Sequence, residues 1–139
     1  MMCVLWEDFM IHIYYGDGKG KTTAAVGLAI RAAGSKMKVM FVQFLKTEFS
    51  GERNVLKELD NVTLTSCPDE LKFTFDMTDA EKQQASAVFK GIFERSAAAA
   101  LSERYDMIVL DEILTSWARV CLARPRCWGS SPTRPTALK

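Results

Sequence analysis

Gly16-Asp17-Gly18-Lys19-Gly20-Lys21-Thr22-Thr23 stands between an apolar, strand-like stretch at residues 11–15 and an alanine-rich helical stretch that opens at Lys21. A glycine-rich turn in that setting reads as a phosphate-binding loop. Its backbone can fold tightly and aim N–H groups inward at the start of the next helix, where negative charge is favoured. On this reading all eight residues cradle a nucleoside triphosphate, with Lys21 supplying charge and Thr22 a hydroxyl for Mg²⁺. The loop is one residue shorter than the usual spacing, because Tyr15 stands where the first glycine would fall. Lys19 adds a cation two residues before Lys21, closer than the extra lysine of partition-type ATPase loops.

Downstream, strand-like and helix-like segments alternate, which predicts an α/β fold with a mostly parallel, helix-covered sheet of the P-loop, RecA-like kind. Residues 11–15 are expected as the first strand and 21–33 as the first helix, with Gly34 as its stop. Residues 38–45 form a nearly continuous apolar run suited to a buried parallel strand. Ser50 is expected to cap a short helix to residue 59, followed by a strand over 61–67. Thr78-Asp79-Ala80-Glu81 has the form of a capping box. It predicts a helix to about residue 103 that buries Ala85, Val88, Phe89, Ile92 and Ala99. The run 97–100 of alanines reads as helix propensity and close packing.

The second chemical block is Tyr105-Asp106-Met107-Ile108-Val109-Leu110-Asp111-Glu112, an apolar strand ending in two acids. Beside a phosphate loop, such a strand can deliver a carboxylate to a Mg²⁺ shell. Thr22, Asp111 and Glu112 are therefore the candidate metal residues. No water-orienting glutamine or arginine finger of the kind hydrolytic NTPases use is identifiable.

Composition sets the outer bounds. The chain has 139 residues, 48% of them hydrophobic and 25% charged, as expected of one soluble globular domain. No apolar run approaches the roughly 18 residues that cross a bilayer. Residues 1–9 contain Glu7 and Asp8 and no basic residue, unlike a secretory signal, so a cytoplasmic location is expected; because Met10 leads directly into the first strand, residues 1–9 are expected as an N-terminal extension without structural role. Cys3, Cys67, Cys121 and Cys127 form no Cys-x-x-Cys pair, and His12 is the single histidine, which argues against zinc. His12 itself reads as a packed or edge residue of the first strand. The net charge of +1 is unevenly spread. Residues 1–113 hold 13 Lys/Arg against 17 Asp/Glu, whereas residues 114–139 hold five basic residues, no acid and three of the four prolines. That tail reads either as a basic arm for nucleic acid or as out-of-frame sequence replacing a normal C-terminal half, and the second is preferred. It lacks an aromatic platform and the body is acidic, so nucleic acid is not expected as a partner.

With these blocks placed, the chain resembles the ATP:corrinoid adenosyltransferases, also called cob(I)yrinic acid a,c-diamide adenosyltransferases. The resemblance rests on the run from Met10-Ile-His-Ile-Tyr-Tyr through Gly16-Asp-Gly-Lys-Gly-Lys-Thr-Thr-Ala-Ala, on Ala32-Ala33-Gly34 followed by Lys38-Val-Met-Phe-Val-Gln-Phe-Leu-Lys46, and on residues 105–113. It covers about residues 10–113, and the shortened loop is itself a trait of the family. The resemblance implies transfer of the 5′-deoxyadenosyl group of ATP to a cob(I) corrinoid with release of triphosphate, in cobalamin biosynthesis or salvage. It further implies Lys19, Lys21 and Glu112 as catalytic, Thr22 and Glu112 on Mg²⁺ or Mn²⁺ with Asp111 in support, and Thr23 on phosphate. Phe73 and Phe75 correspond to an aromatic segment near the corrinoid, although Phe-x-Phe alone also fits a half-buried strand. Gln43 and Lys46, at the end of the second strand, are weaker candidates. A homodimer and an electron-donating flavoprotein are the implied partners. Family members continue beyond residue 113 with strands, helices and a Thr-Gly-Arg segment that have no counterpart in 114–139, which predicts an incomplete sheet of low stability. Two other readings stand beside it: another small P-loop ATPase or kinase, or an ATP-binding module without catalysis.

Overall fold

The computed structural model describes residues 10–44, 50–66 and 78–120, the side chains of 117–120 excepted. Its elements are α1 (Lys21–Gly34), β1 (Val39–Gln43), α2 (Gly51–Lys57), β2 (Val62–Ser66), α3 (Asp79–Leu101), β3 (Met107–Asp111) and α4 (Ile113–Val120). The three strands form one parallel sheet in the order β2-β1-β3. β1 lies in the middle because it is the strand that is apolar on both faces, and every one of its residues is buried.

Period-two alternation divides the core between the two faces of the sheet. Met40, Val42 and Phe44 point to α3 and pack on Ala85, Phe89 and Ile92, with Ile108, Leu110 and Ile113 partly buried alongside. The rings of Phe44 and Phe89 meet at 6.0 Å between centroids. Val39 and Phe41 point the other way, onto Ala29 and Ala32 of α1 and Leu56 of α2, with Val109, Val62 and Leu64 from the neighbouring strands. Small alanines on α1 let that helix approach the sheet closely. The entry to β3 is pinned by the carboxylate of Asp106, which accepts from the Lys38 amide at 2.7 Å.

Several expectations change in detail. Residues 11–15 carry no strand: they are not among the strands of the described sheet, four of the five are exposed, and His12 is among them. Strand propensity needs a neighbour to become a ladder, and β3, at one edge of the three-stranded sheet, does not take this segment. Gly34 ends α1 from inside the helix, and the left-handed residue beyond it is Lys36, with φ 66°. Ser50 occupies the N-cap position of α2, but its side chain makes no cap hydrogen bond, and its buried Oγ has no hydrogen-bond partner among the described residues. The capping box of α3 is complete, with Thr78 and Glu81 each closing on the other's amide. The buried face of α3 is Ala85, Phe89, Ile92 and Ser96, with Val88 and Ala99 partly buried against the same core; Ala97, Ala98 and Ala100 are exposed, so within the alanine run only Ala99 packs. α4 begins the segment read as a tail, and Ser116 in its first turn is buried.

Candidate functional site

The loop of residues 16–20 approaches α1 through two glycines with positive φ, Gly16 at 112° and Gly20 at 97°. Gly20 is the N-cap of α1, which has no side-chain cap and no acid in its first turn. Amides at this end are therefore left to whatever lies in the loop. Lys21 folds back so that its ammonium donates to the carbonyls of Gly16 and Gly18, each at 2.6 Å. This holds the positive charge over the loop. A Cβ added at Gly18 would meet nothing within 4 Å. Asp17, Lys19 and Thr23 are exposed around the same turn.

Thr22, in the first turn of α1, reaches the end of β3. Its hydroxyl donates to the carboxylate of Asp111 at 3.1 Å to Oδ1 and 3.4 Å to Oδ2, across 89 residues of sequence. Glu112, the next residue, has φ 61°, a left-handed conformation that costs about 1–2 kcal/mol outside glycine. It forms the turn from β3 into α4, where its carbonyl accepts from both the amide and the hydroxyl of Ser116. Of the two acids, Asp111 is the one joined to Thr22. Phe73, Phe75 and Lys46 lie outside the described residues.

Alongside this pair runs a row of polar side chains in which Gln43 and Asp111 were candidates from the sequence and Ser66 and Arg53 were not. Register places Ser66, Gln43 and Asp111 side by side at the carboxyl ends of β2, β1 and β3. They continue the line of Val39 and Phe41, so they face α1 and α2. Arg53 of α2 lies over the row, donating from Nη1 to Gln43 Oε1 at 3.3 Å and from Nη2 to Ser66 Oγ at 3.2 Å. Gln43 Nε2 in turn faces Glu52 at 3.4 Å and Asp111 at 3.5 Å. Gln43 is 0% and Arg53 3% exposed, so these two are interior and Gln43 does not form a ligand-facing rim, while Asp111, 8% exposed, lies where the row meets Thr22. Arg53 precedes buried Leu56 by three residues and shares its face. That i,i+3 relation was the available signal, but a charged residue at such a spacing usually belongs to a solvated face.

The donor set suits a hard cation. Thr22 and Asp111 offer neighbouring oxygens, and the described residues hold no group of three His, Cys, Asp or Glu side chains able to enclose a metal. An ion here would take the rest of its shell from phosphate and water, which matches the habit of Mg²⁺.

Residues 7–126 match the family described as ATP:corrinoid adenosyltransferase BtuR/CobO/CobP. Among characterised proteins, the corrinoid adenosyltransferase of Escherichia coli K12 is 35% identical over 111 residues, which cover 77% of this chain and 53% of that protein. Corrinoid adenosyltransferase CobA of Salmonella typhimurium is 34% identical over the same shares. The Pseudomonas aeruginosa corrinoid adenosyltransferase is 30% identical over 108 residues, 77% of this chain and 52% of its own. The chain thus spans about half the length of the relatives it matches, and the match runs past residue 113 into α4.

Proposed function

The chain belongs to the ATP:corrinoid adenosyltransferase family, and from that premise we propose that it binds Mg-ATP on a P-loop, RecA-like sheet and transfers the 5′-deoxyadenosyl group to a reduced corrinoid. The observation that carries the reading is the pairing of Thr22 with Asp111, which joins the loop helix to the acidic strand. Neither motif alone distinguishes a nucleotide site from a turn.

In the reaction the reduced cobalt of the substrate attacks C5′ of ATP. A cobalt–carbon bond forms, the C5′–O bond breaks, and triphosphate departs with the bonding pair. The nucleophile comes with the substrate, so the protein's work is to align C5′ and to stabilise charge growing on the leaving group. Lys21, already poised over the loop, and Lys19 provide positive charge; the amides of Gly18 to Thr23 provide hydrogen bonds. Mg²⁺, when bound, neutralises phosphate charge, and Thr22, Asp111 and Glu112 are the residues that would hold it. Thr23 is the phosphate contact of this reading, and Phe73 and Phe75 are its corrinoid candidates. A reduced cobalt calls for an electron donor; a flavoprotein in that role, a homodimer and a cytoplasmic location complete the reading.

The test is anaerobic incubation of the purified chain with Mg-ATP and chemically reduced cobalamin, following the corrinoid spectrum and triphosphate release. Formation of the light-sensitive adenosyl product, lost in Lys21→Ala, is the expected result. ATP binding without conversion would sink the transferase reading of this chain and leave a nucleotide-binding module.

A further inference from the structure

The interior row offers one step beyond that assignment, and the step rests on the nucleotide-site reading above. An arginine has donors and no acceptor. Whichever amide atom of Gln43 meets Arg53 Nη1 must therefore be the oxygen, and the Nε2 side is forced towards Glu52 and Asp111. Ser66 accepts from the other arm of the guanidinium and fixes its plane. Gln43 is completely buried, so water does not compete for either end of its amide. The result is a polarised chain, Ser66 to Arg53 to Gln43 to Asp111, that terminates on the carboxylate accepting from Thr22.

This arrangement is poorly explained as a stability device. Among the described residues the Nε–H of Arg53 is buried without a partner, and an unsatisfied buried donor is a net cost. Replacing such a buried polar cluster as a whole by apolar side chains often costs little stability, whereas removing one member alone leaves the others unsatisfied. Leu56 and Val39, nearby in the same core, show that apolar side chains suit this face.

We propose that Arg53 is a positioning residue for the metal-nucleotide site, acting through Gln43 to fix the orientation of the Asp111 carboxylate. Its influence falls on the Mg²⁺-dependent part of nucleotide binding, and the contacts that the loop and Lys21 make with phosphate do not depend on it.

The experiment measures affinity for a fluorescent ATP analogue with Mg²⁺ and with EDTA, on the full chain, alongside thermal melting. Arg53→Met and Gln43→Met are each expected to keep binding in EDTA and to lose about tenfold of the gain that Mg²⁺ confers, the scale typical of outer-sphere partners of a metal. The double variant should lose no more than the worse single one, because both act along one path. Should Arg53→Met fail to fold, Gln43→Met carries the same comparison, and Arg53→Lys, which retains charge but not the two-armed grip, should fall between it and the parent. A full Mg²⁺ gain in a folded Arg53→Met or Gln43→Met, or losses that multiply in the double variant, overturns the proposal. Lys21→Ala separates the two levels of argument. If it binds the analogue as the parent does, the nucleotide site itself is misread; if it loses binding while Arg53→Met keeps the full gain, only the positioning role fails.

Discussion

Thr22→Val removes the hydroxyl that joins α1 to β3 and keeps the volume and branching of the side chain. The two oxygen distances, 3.1 and 3.4 Å, exceed the roughly 2.7 Å usual for a hydroxyl donor. The lower end of the range for a hydrogen bond to a charged group therefore applies, about 1.5 kcal/mol. Asp111 retains Gln43 as a donor at 3.5 Å, so its carboxylate is not stripped of partners and the loss stays near that value. In a chain of this size the expected fall in melting temperature is about 6 °C. The sharper readout is linkage. A ligand at a hundredfold excess over its Kd adds about 2.7 kcal/mol to the parent, an upward shift of about 10 °C. Thr22→Val should forfeit most of the part that appears only with Mg²⁺. Melting followed by circular dichroism, with a non-hydrolysable ATP analogue in Mg²⁺ or EDTA, gives all the required numbers, and Thr22→Ser should restore the parent's behaviour. An undiminished Mg²⁺-dependent shift in Thr22→Val would refute the pairing as the core of the site, as would a Thr22→Ser variant no better than valine.

Two glycines of the loop should separate folding from binding. Gly20→Ala forces a Cβ into φ 97° and should cost about 1–2 kcal/mol of stability in urea titration, whereas Gly18→Ala meets open space and should melt like the parent while binding nucleotide more weakly. Thr78→Ala removes half of the capping box of α3 and should destabilise by about 1 kcal/mol with no change in nucleotide affinity, a prediction that fails if binding moves beyond what the melting shift explains. Leu56→Ala, at a fully buried position between α2 and the sheet, should cost about 2–5 kcal/mol. Because α2 also carries Arg53, it should weaken Mg²⁺-dependent binding in step with the loss of structure.

Local chemistry carried far along this chain. Gly16 and Gly20 were legible because a turn into a helix needs residues tolerant of positive φ, and the Thr78 capping box because both partners lie within one turn. β1 was legible because an unbroken apolar run suits the centre of a parallel sheet, and the order of strands and helices gave the α/β class before any contact was known. Short-range sequence, in other words, set the identity of the elements and the chemical character of each motif. Pairing was another matter. Residues 11–15 have strand-like composition and form no strand, since a ladder depends on what lies alongside and β3 does not take them. The choice of Asp111 over Glu112 as the partner of Thr22 rests on a register that aligns Asp111 with Gln43, and on a left-handed turn at Glu112. Arg53 and Ser66 gave no sign of their pairing, because each is an ordinary polar residue until the strands and α2 converge to bring them together. The sequence alone marked the candidate phosphate residues; the tertiary structure decided which carboxylate accepts from Thr22, because that contact is made across the sheet by residues far apart in the chain.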